Sequence, residues 1–387
     1  MTKFRTTFGE NIFRTKYAQG PADTWDQLAE RLVEDVCGTR WGTTHALLSA
    51  PDRRDLVQLI KEFKFIPGGR YLYYAGREFK AFNNCYLLRA EHDTREEWAD
   101  LFHRSSSCLL TGGGIGIDYS RLRASGKTLK RTGGVASGPI PLMYAVNEIG
   151  RNVMQGGSRR SAIYASLNWA HENIGKFLTA KNWSDAVKQL KEADFNFPAP
   201  LDMTNISVNY DDASLVGGLE NNPVFKQNCL QAMQTGEPGF SFNFGAKQNE
   251  TLRNACTEVT SEDDSDVCNL GSINMGAIPS LDEFESVVHL ASKFLVCGTL
   301  RADLPYEKVY KVREKNRRLG LGLMGIHEWL LQRGYGYEVN DELRKWLVVY
   351  EEESERSANE HCDRFFISRP VAYRAIAPTG TIGILAG

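Results

Sequence analysis

The sequence lacks the signals that point to nucleic-acid or membrane partners. Lysine and arginine total 46 against 48 aspartates and glutamates, which gives a formal net charge of −2. Duplexes and anionic membranes recruit proteins through a basic excess, so neither is expected as a partner. The segment from Met1 to Phe8 has no apolar core, and no run of about eighteen apolar residues occurs, so we expect neither a signal peptide nor a membrane span.

Cysteine is also scarce. Eight cysteines in 387 residues are too few for a disulfide scaffold, and none lies in a CxxC pair of the kind found in structural zinc sites. His327 and His361 have no ligand partners at metal spacing, so no metal is assigned, and a reducing cytoplasm is the expected location. Five of the cysteines are interpreted as small buried hydrophobes, namely Cys37, Cys108, Cys229, Cys297 and Cys362.

The rest of the composition is typical of a folded enzyme-sized chain, with 42% hydrophobic and 24% charged residues. Apolar spacing predicts helices over 22–36, with Asp23 as cap and Gly38 past the end, and over 283–296 and 341–362. Short apolar runs predict strands at 86–88, 115–117, 161–167, 206–208 and 270–275, whereas 66–76 is predicted to be a loop. This alternation favours an α/β fold with a largely parallel, buried sheet.

One short motif carries most of the chemistry. Asn254, Cys256 and Glu258 alternate along Asn-Ala-Cys-Thr-Glu, and Cys268 follows Cys256 after eleven residues. An extended backbone would point all three side chains to one face and combine a redox-capable sulfur, a general base and a hydrogen-bonding amide. The acidic stretch 262–266, between the two thiols, is interpreted as a solvated turn.

Glycine-rich segments are dense, and each can let backbone amides approach a phosphate with help from nearby arginines. None is a Walker loop or a dinucleotide fingerprint, and a tight turn with nothing bound remains the alternative for each one. Their number favours nucleotide binding. The segments are 112–114, 133–134, 156–157 and 378–381.

Taken together, these motifs resemble the catalytic (large) subunit of ribonucleotide reductase, in a minimal form similar to phage enzymes. The resemblance runs from about Pro67 to the last residue. It implies that Cys256 is the thiyl radical site, flanked by Asn254 and Glu258. It also implies that Cys85, in Asn-Asn-Cys-Tyr, and Cys268, in Val-Cys-Asn-Leu-Gly, form the reducing pair.

The same resemblance implies two nucleotide sites. The substrate would contact Asn84 and a phosphate loop formed by Pro378, Thr379, Gly380, Thr381 and Ile382. The allosteric effector would contact residues from three segments, namely Asp93, Arg123, Gln155, Gly156, Gly157 and Arg159.

For the fold, the resemblance implies a ten-stranded α/β barrel of two parallel five-stranded halves, with the catalytic cysteine on an internal finger loop sealed from solvent. Residues 1–65 would form an N-terminal helical segment without an ATP cone, and 66–387 the catalytic barrel. Because such subunits usually continue past the phosphate loop, we expect this barrel to be incomplete at its C-terminus.

Function and partners follow from the same resemblance. We expect reduction of ribonucleoside di- or triphosphates for DNA synthesis, with a deoxynucleoside triphosphate or ATP as effector and a thioredoxin- or glutaredoxin-like dithiol as reductant. A separate ferritin-like metal subunit is favoured as radical generator, with adenosylcobalamin as the alternative, and a homodimer is possible. Two competing hypotheses are a glycyl-radical barrel enzyme and a non-catalytic nucleotide-binding module.

Overall fold

The computed structural model of the chain describes residues 4–39, 45–130, 133–153 and 161–387. Helices α1 to α14 are numbered along the described residues: α1 Thr7–Lys16, α2 Trp25–Cys37, α3 Ala50–Lys61, α4 Gly69–Tyr74, α5 Arg95–Leu110, α6 Pro139–Asn152, α7 Ile174–Leu178, α8 Asp185–Ala193, α9 Pro223–Thr235, α10 Leu281–Arg301, α11 Glu307–Asn316, α12 Ile326–Gln332, α13 Asp341–Arg364 and α14 Gly380–Ala386. The strands are β1 Phe65–Pro67, β2 Cys85–Arg89, β3 Gly114–Asp118, β4 Ile163–Asn168, β5 Thr204–Asp211, β6 Gly239–Asn243, β7 Leu252–Arg253, β8 Thr260–Ser261, β9 Asp266–Asn274 and β10 Leu319–Met324.

The chain divides into two compact units. Unit 1 combines residues 1–84 with 267–387, and unit 2 comprises 85–266. The predicted boundary at residue 65 stays a prediction, since the residues before and after it belong to one unit.

Unit 2 is built on five parallel strands in chain order, β2 to β6. Parallel neighbours need crossover connections, and α5, α6, α7 with α8, and α9 supply them in turn. The register sets Cys85 beside Gly114 and Gly116 beside Tyr164. Because side chains alternate along a strand, Cys85, Gly114, Gly116 and Tyr164 share one face of this sheet, and this is the face that carries the candidate site.

Unit 1 has a smaller sheet and a helical layer. Strand β9 pairs in parallel with β10 and antiparallel with the short β1. The long helix α10 packs against α2 and α13 and is buried along most of its length. The core of this unit therefore lies between β9 and β10 on one side and the α2, α10 and α13 helices on the other.

Most predicted elements are confirmed within a few residues, including the strands at β2 to β5 and β9 and the helices α2, α10 and α13. The cap of α2 differs from the prediction. Thr24 closes a capping box with Gln27, whereas Asp23 pairs with Arg31, with N–O distances of 2.7 Å. The predicted loop at 66–76 is wrong, because β1 pairs with β9 and 69–74 form α4.

The predicted α/β class is confirmed, and unit 2 has the five parallel strands expected of one barrel half. In the described part of unit 1, the second parallel set comprises β9 and β10. Within residues 4–39, 45–130, 133–153 and 161–387, no helix combines the length and apolar character needed to cross a lipid bilayer.

Candidate active site

The predicted catalytic motif lies at the end of a short hairpin in unit 2, here called the finger hairpin (residues 252–261). Strands β7 and β8 pair antiparallel, Leu252 with Ser261 and Arg253 with Thr260, so that 254–259 form the connecting turn. Thr257 has a left-handed backbone with φ of 69°. The predicted extended backbone is therefore wrong, since the motif is folded into a turn.

Asn254 organises this turn. Its backbone N–H donates to the Val259 carbonyl at 3.3 Å, its carbonyl accepts from the Thr257 N–H at 3.0 Å, and its side-chain oxygen accepts from the Val259 N–H at 3.1 Å. The Asn254 side-chain nitrogen is buried and has no hydrogen-bond partner in the described structure. One end of the amide thus shapes the turn, while the donor end remains available.

Glu258 lies four residues after Asn254 on the same turn. Both of its carboxylate oxygens are buried, and neither reaches a partner at hydrogen-bond distance and geometry among the described residues. Burial raises the pKa of Glu258 above its ordinary value, and the nearby Asn254 amide and the backbone N–H of Glu258 itself oppose that shift only in part. A carboxyl group in this state suits proton transfer, because its pKa moves toward neutral pH.

Cys256 is exposed, whereas its neighbours Asn254 and Ala255 are buried. The expectations of one shared face and of a sulfur sealed from solvent are therefore wrong for this structure. The physical reason is the turn, which directs successive side chains to different sides of the hairpin.

The finger hairpin packs closely on the glycines of β3. A Cβ added to Gly116 would lie 1.7 Å from the carbonyl oxygen of Arg253, and one added to Gly114 would lie 2.7 Å from the Ala255 Cβ. The glycine-rich segment 112–114, predicted as a possible phosphate-binding loop, thus leads into β3. There Gly114 leaves room for the hairpin because it has no side chain. Since Cys85 is the register partner of Gly114, this packing brings the start of β2 and the Cys256 turn to the same part of unit 2.

Two arginines hold the hairpin and the acidic stretch that follows it in unit 2. Arg253 donates to the Phe242 carbonyl at 3.1 Å and to the Asn243 side chain at 3.2 Å, which ties the hairpin to β6. Arg104 of α5 donates to both carboxylate oxygens of Asp264 at 2.8 and 2.7 Å, with side-chain exposures of 6% and 0%. The acidic stretch predicted to be a solvated turn therefore contains a buried ion pair that sequence reasoning missed.

Cys268 belongs to unit 1, where it is a fully buried residue of β9. The backbone N–H of Asn84 and the side chain of Asn83 both donate to its carbonyl oxygen at 3.3 Å. Asn84 is the last residue of the first segment of unit 1, and Cys85 begins unit 2. The side-chain oxygen of Asn84 is buried without a partner in the described structure, so it can accept a hydrogen bond from a ligand.

The predicted phosphate loop follows a segment that runs beside β10, through a parallel bridge between Leu321 and Arg374. Pro378 and Gly380 are exposed, Ile382 is buried, and Thr379 caps α14 with φ of 52°. The loop is thus in unit 1, and its residues Pro378 and Gly380 are accessible to solvent.

Of the predicted effector residues, Asp93 and Arg123 are brought together in unit 2. The Arg123 backbone N–H donates to the Asp93 carboxylate at 3.0 Å and its guanidinium to the same carboxylate at 2.5 Å, while Trp98 donates to the other oxygen at 3.0 Å. The predicted effector residues Gln155, Gly156, Gly157 and Arg159 lie outside the described residues.

Sequence reasoning did not predict the cleft at the carboxyl ends of β2, β3 and β4, whose volume is about 770 Å³. Its wall is polar and of mixed charge, formed by Arg89, Asp118, Ser120, Arg121, Asn168, Ala170, His171, Asn249, Thr251, Glu262 and Asp263. Asp118 is engaged within the wall, since it accepts from the Ser120 N–H at 3.0 Å and from the Thr251 hydroxyl at 2.7 Å.

This parallel sheet, with a cysteine on a hairpin packed against β3, fits the class of enzymes built on α/β barrels. Comparison with known families gives the specific assignment. The family described as "Ribonucleotide reductase, barrel domain" matches residues 83–212 and 219–349, more than half of the chain. The chain belongs to this family.

Individual relatives agree with this assignment. The chain is 27% identical, over 85% of its length and 52% of the relative, to a protein of Mycobacterium tuberculosis named "Vitamin B12-dependent ribonucleoside-diphosphate reductase". It is 25% identical, over 98% of its length and 72% of the relative, to a "Putative adenosylcobalamin-dependent ribonucleoside-triphosphate reductase" of Mycobacterium phage D29. A "Ribonucleoside-diphosphate reductase subunit alpha" of Chlamydia pneumoniae is 25% identical over 76% of the chain and 33% of the relative.

The chain spans about half the length of the Mycobacterium tuberculosis relative. The names of the mycobacterial and phage relatives refer to vitamin B12 or adenosylcobalamin. The favoured expectation of a ferritin-like generator is therefore not supported, and the alternative fits these names better.

Proposed function

We propose that this chain is the catalytic barrel of a ribonucleotide reductase, which replaces the 2′-hydroxyl of a ribonucleotide with hydrogen through a radical at Cys256. The observation that carries the proposal is the turn of the finger hairpin, where Cys256 and Glu258 lie two residues apart. There the Glu258 carboxylate is buried without a hydrogen-bond partner among the described residues, and its pKa is raised by burial.

In the proposed reaction, the Cys256 sulfur radical takes the 3′ hydrogen atom of the ribose. Loss of the 2′-hydroxyl as water then becomes feasible, because an adjacent carbon radical assists departure of an otherwise poor leaving group. Glu258 accepts the 3′-hydroxyl proton, and the free donor end of the Asn254 side chain holds a substrate hydroxyl. The buried acceptor of Asn84 suits a second substrate hydroxyl.

Cys85 and Cys268 are proposed to deliver the two electrons. The pair ends as a disulfide while the nucleotide ends as a 2′-deoxynucleotide plus water, so electrons and protons balance. A thioredoxin- or glutaredoxin-like dithiol then reopens the disulfide by thiol exchange. Both cysteines are buried thiols, which suits a pair that is kept reduced between turnovers.

We further assign the loop 378–382 to the phosphates of a ribonucleoside di- or triphosphate, and Asp93 with Arg123 to a nucleoside triphosphate effector. The exposure of Pro378 and Gly380 supports the first assignment, because a phosphate can reach the loop there. The contact of Asp93 with Arg123 supports the second, because a carboxylate for ribose hydroxyls lies beside a cation for phosphates.

Adenosylcobalamin is the radical source that the relatives favour, and when bound it supplies a carbon-centred radical by cobalt–carbon homolysis. The exposed thiol of Cys256 fits a generator that reaches the sulfur from outside the hairpin. This observation concerns only the access of a radical generator to Cys256, so we assign no residue to binding of the corrin ring. A separate metal-containing subunit is the other radical source, and the experiment below tests both.

The experiment is a product assay on the full chain with ribonucleotides and dithiothreitol, plus adenosylcobalamin in one arm and a metal-loaded small subunit in the other. We expect the wild type to form deoxynucleotide and Cys256→Ser to form none while still binding nucleotide. Equal product formation by Cys256→Ser would overturn the assignment. Cys229→Ser, a change at a half-buried cysteine of α9, is the matched control. Nucleotide binding without product in either arm, at native fold, would favour a binding module.

A further inference from the structure

Unit 1 contains a second group of cysteines that the proposed reduction does not use. Cys37 ends α2 and Cys297 lies in α10, and both are fully buried. Helix α13 adds His361, whose Nε2 lies 3.3 Å from the Cys297 sulfur. The sequence predicts that these cysteines are isolated small buried hydrophobes, whereas the fold gathers them around the imidazole of His361.

Independent contacts hold Cys37 and Cys297 together. The Cys37 and Cys297 thiols lie close enough for each to shift the pKa of the other. One helical turn after Cys297, Arg301 donates to the carbonyl of Gly38 at 2.6 Å, which fixes the end of α2 against α10. The ring of His361 packs edge-on against Phe365 at 5.0 Å, so its position beside the sulfur is also supported.

We propose that Cys37 and Cys297 form a second redox-active dithiol, which a hydroperoxide oxidises to a disulfide with His361 holding Cys297 as the nucleophile. The Cys297 thiolate attacks the peroxide, the O–O bond breaks, and the sulfur becomes a sulfenic acid while hydroxide or alkoxide leaves. The Cys37 thiol then attacks that sulfur, an S–S bond forms and water leaves. The two sulfurs give up two electrons in total, which the peroxide receives.

Electrostatics assign the roles of the two sulfurs. Burial opposes ionisation of Cys297, but the neighbouring Cys37, His361 and Arg301 outweigh it and lower its pKa. Burial raises the pKa of Cys37, so Cys37 stays a thiol and acts as the resolving partner. The ionisable groups that face the pair are Arg53 of α3, Tyr71 of α4, Arg301 of α10, and His361 and Cys362 of α13.

Burial also sets how fast the pair reacts. Because both sulfurs are fully buried, the oxidant reaches them only when the helices open locally, so oxidation is slower than at the exposed Cys256. The product would join α2 covalently to α10. A dithiol reductant reverses the reaction by exchange.

The test treats the reduced full chain with hydrogen peroxide, blocks remaining thiols by alkylation and maps the peptides without reduction. We expect two peptides linked by a disulfide between Cys37 and Cys297, with a mass two hydrogen atoms below the sum of the separate peptides. Any pair linked through Cys85 and Cys268 would be found in addition. Cys362→Ser, a neighbouring buried cysteine whose pKa is raised to about 11, should leave the Cys37 pair intact. His361→Asn should form it about tenfold more slowly near neutral pH, with the rise in rate moved to higher pH.

The wild-type peptide map decides the proposal by itself, so a serine variant that fails to fold does not affect the outcome. A map without the linked peptide after prolonged oxidation, or one in which Cys297 is joined to Cys362, overturns the dithiol. An unchanged rate and pH profile in a folded His361→Asn variant removes the imidazole from the mechanism.

Discussion

Gly116 of β3 lies directly beneath the carbonyl oxygen of Arg253 in the finger hairpin, at a spacing that leaves no room for a Cβ, which would lie 1.7 Å from that oxygen. Arg253 immediately precedes the turn that carries Cys256 and Glu258. The smallest possible side chain in a sheet strand thus sets the position of the proposed catalytic residues.

Gly116→Ala should therefore displace the hairpin. Backbone atoms cannot yield as a flexible side chain does, so we expect a loss of about 1–3 kcal/mol in the free energy of unfolding, as for other overpacked sites. Turnover should fall further than stability predicts, because the Cys256 turn moves with the hairpin. Urea unfolding and the product assay measure both.

Gly175→Ala is the matched control for this change. Gly175 is also in unit 2, and a Cβ there meets nothing within 4 Å. Its stability and turnover should match or slightly exceed those of the wild type. Equal behaviour of the two variants would contradict the packing argument.

The ion pair between Arg104 and Asp264 gives a second prediction. Asp264→Asn removes the charge partner of a buried guanidinium and costs several kcal/mol in comparable cases. Asp100 remains as another partner of Arg104 at 2.6 Å, so we expect a loss of about 3 kcal/mol, near the lower end of that range. Thermal and urea unfolding measure it.

Asp363→Asn makes the same chemical change in an exposed pair with Arg369. Salt and water screen that pair, so stability should not change. A similar loss in both variants would mean that burial of Asp264 is not what makes its pair important.

Strands β2 to β5 of unit 2 could be predicted from the sequence because each is a short apolar run between turn residues, which is typical of a buried parallel sheet, whereas β6, β7 and β8 were not predicted. Two predictions near the site were wrong, namely the extended catalytic motif and the solvated acidic turn, and both errors have one physical cause. Asn254 to Glu258 looks extended by local alternation, but Asn254 closes a turn by three hydrogen bonds to Thr257 and Val259. Local spacing does not reveal such closure.

Asp264 shows the same limit over a longer range. Its acidic neighbours indicate a solvated turn, and its partner Arg104 lies 160 residues earlier in the chain. Likewise, β1 is a strand because it pairs with β9, although Pro67 and Gly68 indicate a loop by composition. The identity of the motif residues could be predicted from the sequence, whereas burial and backbone shape depended on distant partners.

The pKa shift of Glu258 predicts a pH dependence of activity. As the proposed base, Glu258 must be ionised, and burial raises its pKa above the ordinary value of 4.5. The acidic limb of the turnover profile should therefore lie above pH 4.5. Glu258→Gln should lose about 10²–10⁴-fold in turnover, the usual contribution of a general base.

Stability should change in the opposite sense at the same residue. A raised native pKa favours the protonated form, so the wild type loses stability as pH rises through that pKa. Glu258→Gln avoids this loss, and its advantage in melting temperature should appear between pH 4.5 and neutral. Glu262→Gln, at an exposed position nearby, should show no such trend. An advantage for Glu258→Gln that is constant with pH would contradict the burial of an ionised carboxylate.

Tyr71 supports Cys268 from the other side of β9. Its hydroxyl donates to the side-chain oxygen of Asn269, whose nitrogen donates to the Leu295 carbonyl at 2.7 Å. The same hydroxyl lies against Gly298, where an added Cβ would be 1.7 Å away. Burial raises the pKa of Tyr71, so the group stays a neutral donor throughout the working range of pH.

Tyr71→Phe removes that donor and leaves the Asn269 oxygen buried without it, which should cost about 1–3 kcal/mol in the free energy of unfolding. Because Asn269 adjoins Cys268, disulfide formation in a single turnover should slow as well. Tyr73→Phe, in the same helix α4, keeps the aromatic ring over which the Arg77 guanidinium stacks at 4.4 Å and should change neither quantity. If Tyr71→Phe lost stability but kept the wild-type rate of disulfide formation, the hydroxyl would serve the core alone and Cys268 would owe its position to β9 and β10.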